Sequence, residues 1–115
     1  MLGPAFAGAL ARNDYSELTT LLHSEIEFRA LTPRRSWEAE SRDAAIKILR
    51  SWFGDCTVEE ARLDSDTFSD CRRVAYRFRG RRPAGPFVIE QQVYFTQCDG
   101  QINWMRLVCS GFRTP

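Results

Sequence analysis

At Thr57 the spacing of apolar residues changes: in the stretch from Ser41 to Gly54 they fall three and four apart, and beyond Thr57 they alternate with polar ones. The first spacing gathers side chains on one face of a helix, the second on one face of a strand. The chain should therefore lay N-terminal helices across a curved antiparallel sheet made by its C-terminal half, an α+β fold. Its 115 residues suit a single domain spanning 1–115, large enough to hold a core without metal or disulfide staples.

Phe6, Ala9 and Leu10 follow Pro4 at helical spacing, and proline suits a first helical turn because its missing N–H is not needed there. Asn13 and Asp14 interrupt that helix. Asp14 and Glu17 form an Asp-x-x-Glu capping box ahead of Leu18, Leu21 and Leu22, so a second helix should run to about His23. Glu25 to Thr32 then alternate, with Ile26, Phe28 and Ala30 on one side, until Pro33 breaks the strand. A short strand around Trp37 precedes a third helix, capped by Ser41, striped by Ala45, Ile48, Leu49, Trp52 and Phe53, and stopped at Gly54.

Four strands are predicted beyond Thr57, near 57–65, 70–80, 86–97 and 101–113, joined by short Ser, Asp, Gly and Pro turns as an antiparallel meander. Asp99-Gly100 is the strongest turn signal, because a type I′ hairpin needs positive φ at both central residues. With Cys98 opposite Gln101, counting back from that turn sets Tyr94 against Met105, Gln92 against Leu107 and Glu90 against Cys109. The preceding hairpin, closed through Arg81, Arg82 and Pro83, adds Tyr76 opposite Glu90 and Val74 opposite Gln92. The other face would hold Phe87, Ile89, Val93, Phe95, Trp104, Val108 and Phe112, among Arg73, Arg77, Gln91 and Arg106. Both faces then need cover, which predicts a homodimer through the second, outer face.

Sixteen basic and fifteen acidic side chains leave a formal charge of +1, so no global field draws the chain to nucleic acid or an anionic membrane. Cys56, Cys71, Cys98 and Cys109 lack zinc-ligand spacing, and His23 is the only histidine; no metal site and no cofactor are expected. Free thiols in a cytoplasmic setting are the expectation. The opening MLGPAFAGALA has no basic residues before it and is too short to span a bilayer.

The order of helix, Asp-capped helix, strand ending near a proline, Trp37-Glu38, a helix ending in Trp52-Phe53, and a meander with Asp99-Gly100-Gln101-Ile102 resembles the nuclear-transport-factor-2-like superfamily over nearly the whole chain. That resemblance implies a cone of curved sheet and helices around an internal pocket, a cystatin-like α+β barrel, in a group that includes steroid isomerases, polyketide cyclases, epoxide hydrolases, dehydratases and non-catalytic binding modules. Carried across by spacing, the isomerases' donor tyrosine falls on Phe6, their catalytic aspartate on Ala30 and their second acid on Gln92. The usual isomerase and cyclase acids are missing.

The predicted pocket is lined by Tyr76, Gln92, Tyr94, Met105, Leu107 and Cys109, with Phe28 and Ala30 from the first strand. Glu90, a carboxylate facing an apolar cavity, is the candidate general acid or base; pairing with Tyr76 or a nearby arginine is the plainer role. Tyr76, Tyr94 and Gln92 could orient a ligand oxygen or tether the core. His23 should interact with the last helical carbonyls, and the arginines from Arg72 to Arg82 chiefly keep strand edges soluble. Three functions stay open: a homodimeric binding domain for a small apolar or amphipathic molecule, a cofactor-independent isomerase, lyase or hydrolase using Glu90, and a protein-association module.

Overall fold

The computed structural model describes residues 1–115. Helix α1 (Leu2–Ala11) and helix α2 (Tyr15–Leu21) lead into strand β1 (Leu22–Thr32) and strand β2 (Arg35–Ala39), followed by helix α3 (Arg42–Phe53). The meander is β3 (Thr57–Phe68), β4 (Cys71–Arg82), β5 (Gly85–Cys98) and β6 (Gln101–Cys109). All six strands form one curved, unclosed sheet in the order β2-β1-β6-β5-β4-β3. The α+β architecture expected from the change of period is present, with one refinement: β1 and β6 run parallel, and every other pair is antiparallel.

The local signals act as their chemistry requires. Asn13 holds φ of 54°, a left-handed conformation that asparagine tolerates better than most residues. Asp14 accepts from the Glu17 N–H at 3.0 Å, while Glu17 turns outward to Arg12 at 2.5 Å rather than closing the capping box. Ser41 accepts from the Ala44 N–H at 3.2 Å. Helix α2 stops at Leu21 and β1 follows directly, so His23 lies in the strand; its Nδ1 accepts from the Glu25 N–H at 3.0 Å instead of meeting helical carbonyls. The final strand ends at Cys109, short of 113; Gly111 turns the chain at φ of 79°, and Arg113 makes an isolated bridge to Val88.

The Asp99-Gly100 turn forms as expected, with φ of 53° and 77°. Cys98 faces Gln101 and Gln97 faces Ile102, but Thr96 faces Trp104, so Asn103 is a surplus residue in β6. Such a bulge shifts the register by one, and one residue exchanges the faces of everything beyond it. Phe95 thus opposes Met105, Tyr94 opposes Arg106, Val93 opposes Leu107, Gln92 opposes Val108 and Gln91 opposes Cys109. On the other side, Pro83 and Ala84 alone separate Arg82 from its partner Gly85, which sets Tyr76 against Gln91 and Val74 against Val93. The bulge corrects the predicted β6 partners of Tyr94, Gln92 and Glu90, and the two-residue Pro83-Ala84 turn corrects the β5 partners of Tyr76 and Val74.

The helices cover the face carrying Val74, Tyr76, Phe78, Phe87, Ile89, Gln91, Val93, Phe95, Met105, Leu107 and Cys109, with Ile26, Phe28 and Ala30 from β1. This register buries four apolar side chains of β5, each worth about 1.5–3 kcal/mol when taken fully out of water. The face left open carries Arg73, Arg77, Glu90, Gln92, Tyr94, Trp104, Arg106 and Val108. Each predicted face was therefore a mixture of the two real ones. No helix is long and apolar enough to cross a membrane.

Candidate functional site

Gln91 is the only polar or charged residue among the buried ones, at 3% exposure. It sits in the middle of β5, between Tyr76 of β4 and Cys109 of β6, facing the helices. The Tyr76 hydroxyl donates to Gln91 Oε1 at 2.5 Å, fixing the orientation of the carboxamide. Its Nε2 then has no hydrogen-bond partner. A buried donor left in that condition costs about 1–3 kcal/mol.

Tyr76 stacks on Phe78 at 4.7 Å between ring centroids. Burial, and secondarily the neighbouring Cys109, push its phenol well above the ordinary tyrosine range, so it stays a neutral hydrogen-bond donor. The Cys109 sulfur accepts from the Gly111 N–H at 3.3 Å. Above this row, the Trp52-Phe53 end of α3 reaches across the sheet. Trp52 packs against Phe28 at 6.4 Å and edge-on to Trp37 at 5.6 Å, while Phe53 meets Phe78 at 5.8 Å. Trp52 Nε1 is the second buried donor with no acceptor, whereas Trp37 Nε1 reaches Thr32 Oγ1 at 2.9 Å. A third unpartnered nitrogen, Arg42 Nε, lies at the start of α3, whose Nη1 reaches the Thr19 carbonyl at 3.5 Å.

Of the residues expected to line a pocket, Tyr76, Met105, Leu107, Cys109, Phe28 and Ala30 do lie together on the helix-covered face. Glu90, Gln92 and Tyr94 do not. Arg77 binds the Glu90 carboxylate through Nε and Nη2, each at 2.6 Å, and both side chains are about half exposed. That is the plainer role considered for Glu90, an exposed pair worth about 0–1 kcal/mol. Gln92 Nε2 donates to the Tyr94 hydroxyl, and the Tyr94 ring meets Phe68 edge-on at 6.1 Å. Glu90 and Gln92 border a hollow of about 560 Å³ on the open face, with Asp64, Ala75 and Val108.

The positions matched by spacing to the isomerase acids thus carry Ala30 on the covered face and Gln92 outside it. The residue turned inward beside the latter is Gln91. Counting from the turn hid Gln91, but the alternation of β5 itself marks it: Phe87, Ile89, Val93 and Phe95 share its parity, which makes it the one amide in an apolar stripe. Trp52 could be placed on the apolar stripe of α3, but nothing in the sequence shows its N–H to lack an acceptor.

No protein-family model matches this chain, and no curated protein matches it significantly in sequence. Solved structures do match. A candidate isomerase from Rhodopseudomonas palustris superposes with a TM-score of 0.77 at 14% identity, over 95% of this chain and 89% of the other. An LEH-like epoxide hydrolase from M. tuberculosis gives 0.72 at 14% identity, over 95% and 80% of the two chains. A hypothetical protein from Catenulispora acidiphila with a ketosteroid isomerase-like fold, solved in complex with trimethylamine, gives 0.75 at 12% identity, over 96% and 85%. The fold is that of the ketosteroid isomerase-like and nuclear-transport-factor-2-like proteins.

Proposed function

With that fold as the premise, we propose that the chain is a binding domain for a small, neutral molecule bearing an oxygen acceptor, taken up on the helix-covered face beside Gln91. The carrying observation is the Gln91 carboxamide, buried, oriented by Tyr76, and left with an unpartnered N–H. A ligand carbonyl, ether or hydroxyl oxygen would accept from Nε2 and relieve a standing cost. The surrounding aromatic side chains supply the apolar contact expected of a small-molecule site. No carboxylate or histidine is among the buried residues. That favours binding over acid/base turnover, and Glu90, ion-paired on the open face, has no part in it.

Native mass spectrometry of freshly purified protein, followed by denaturing release, tests the reading. A discrete retained mass that disappears in Gln91→Leu is the expected result; an empty wild type that also fails to take up small ketones and amides would overturn it. The paired variant Tyr76→Phe with Gln91→Leu removes donor and acceptor together. It should unfold at an equal or higher urea concentration than wild type, because swapping both partners for apolar groups is nearly neutral or stabilising. A loss of more than about 2 kcal/mol would make the pair structural instead.

Assembly as a homodimer through the open face is supported by a new pair of residues. Leu31 and Val108 are neighbours across β1 and β6, and they are 57% and 52% exposed. Sedimentation should give a dimer that Val108→Glu converts to a monomer with little change in unfolding. A monomeric wild type, or a co-purifying partner displaced by the same substitution, would favour the association module over self-pairing.

A further inference from the structure

At the far end of the open face, β5 carries Val88 four residues from Gln92, roughly 13 Å along the strand. Arg79 of β4 is its partner on one side and Arg113 its partner on the other. With neighbouring strands about 4.8 Å apart, the two arginine Cα atoms stand roughly 10 Å apart across Val88 on the same face. That gap is narrow enough for two long guanidinium side chains to converge on one group. Between them lies a hollow of about 230 Å³, bordered also by Arg77, Glu90 and Ser110.

Arg113 is not a loose terminal side chain. Its backbone exchanges two hydrogen bonds with Val88, each at 2.9 Å, and its Nε donates to the Ser110 carbonyl at 3.2 Å, which leaves both Nη groups free. Neither Arg79 nor Arg113 has a carboxylate within salt-bridge distance, unlike Arg73, Arg77, Arg81 and Arg106. The one carboxylate lining the hollow, Glu90, is held by Arg77 at 2.6 Å. Two like charges face one small concavity whose only acid is already engaged. An oxyanion is the group that would satisfy both, since guanidinium forks match carboxylate and phosphate oxygens.

We propose that Arg79 and Arg113 form a site for a small oxyanion, a carboxylate or phosphate group, on the open face of the sheet. It is separate from the interior proposed above, and either can fail without the other. The test is an NMR titration of the full chain at low ionic strength, with inorganic phosphate in one arm and acetate in the other. Saturable shifts of the Val88 and Arg113 amides and of the Arg79 side-chain Nε–H are expected, together with at least a tenfold weakening in Arg79→Gln and again in Arg113→Gln. Arg72→Gln, outside the hollow, should titrate as wild type. Tighter phosphate binding identifies a phosphate-bearing ligand, and equal or tighter acetate binding a carboxylate; both support the site. Shifts that never saturate, or that Arg72→Gln weakens as much as the other two substitutions, would overturn it.

Discussion

Phe53→Ala is expected to cost about 3–5 kcal/mol, the usual range for emptying a buried phenylalanine site. Phe53 is fully buried at the last turn of α3, and its ring meets three others edge-on: Trp52 at 6.4 Å, Phe78 at 5.8 Å and Phe112 at 6.1 Å. Phe112 in turn packs on Phe87 at 5.1 Å. One ring therefore ties the helix, the middle of the sheet and the segment after β6 into a single cluster. Removing it leaves a cavity that rigid neighbours on three sides cannot close. A domain of this size has only about 5–15 kcal/mol in hand, so about a fifth of its stability or more is at stake. Urea unfolding followed by tryptophan fluorescence measures it, with Phe68→Ala as the control; Phe68 is 53% exposed, and its loss should stay within about 0.5 kcal/mol. A loss at Phe53 below about 1 kcal/mol would mean that α3 is not pinned in this way.

Gly80→Ala should unpair the start of β3. A Cβ built at Gly80 would lie 1.9 Å from the Thr57 carbonyl oxygen and 3.0 Å from the Val58 Cα. Both are backbone atoms, so no side chain can rotate to make room. The close approach occurs where β3 bulges between Val58 and Glu60, and glycine at such a place lets two backbones come nearer than any side chain permits. Overpacking of this kind costs about 1–3 kcal/mol or more. Hydrogen exchange should show lost protection at the β3–β4 pairing around Val58, while the β5–β6 amides keep theirs. Unchanged exchange throughout would show that β3 can move aside without cost.

Helices and strands were legible because their signals are local. Asp14 and Ser41 announce their helices through a side chain three residues from the N–H it accepts, and Asp99-Gly100 announces its turn through backbone freedom alone. What lay beyond reach was long-range. Nothing in the residues of β1 says that it joins β6 in parallel, because that pairing depends on how the helices return the chain across the sheet. Nor does any residue near Asn103 advertise a bulge: its side chain simply accepts from the Thr96 hydroxyl at 2.8 Å. The candidate site suffered for the same reason. Glu90, Gln92 and Tyr94 were assigned inward by counting from a turn across an invisible surplus residue, whereas the unbroken apolar stripe of β5 contains the right answer in Gln91.

The surplus residue also bears on how chains of this shape can be compared. Two proteins with the same Asp-Gly turn and the same β5, differing only in whether a residue such as Asn103 is present, would present opposite halves of β6 to the interior. A substitution inherited in one lineage as a ligand contact would stand in the other as a solvent-facing charge, with no change in its own neighbours along the chain. At 12–14% identity, residue correspondences between this protein and its structural counterparts must be drawn strand by strand from the bulge outward, because a single insertion or deletion there exchanges the faces of β6.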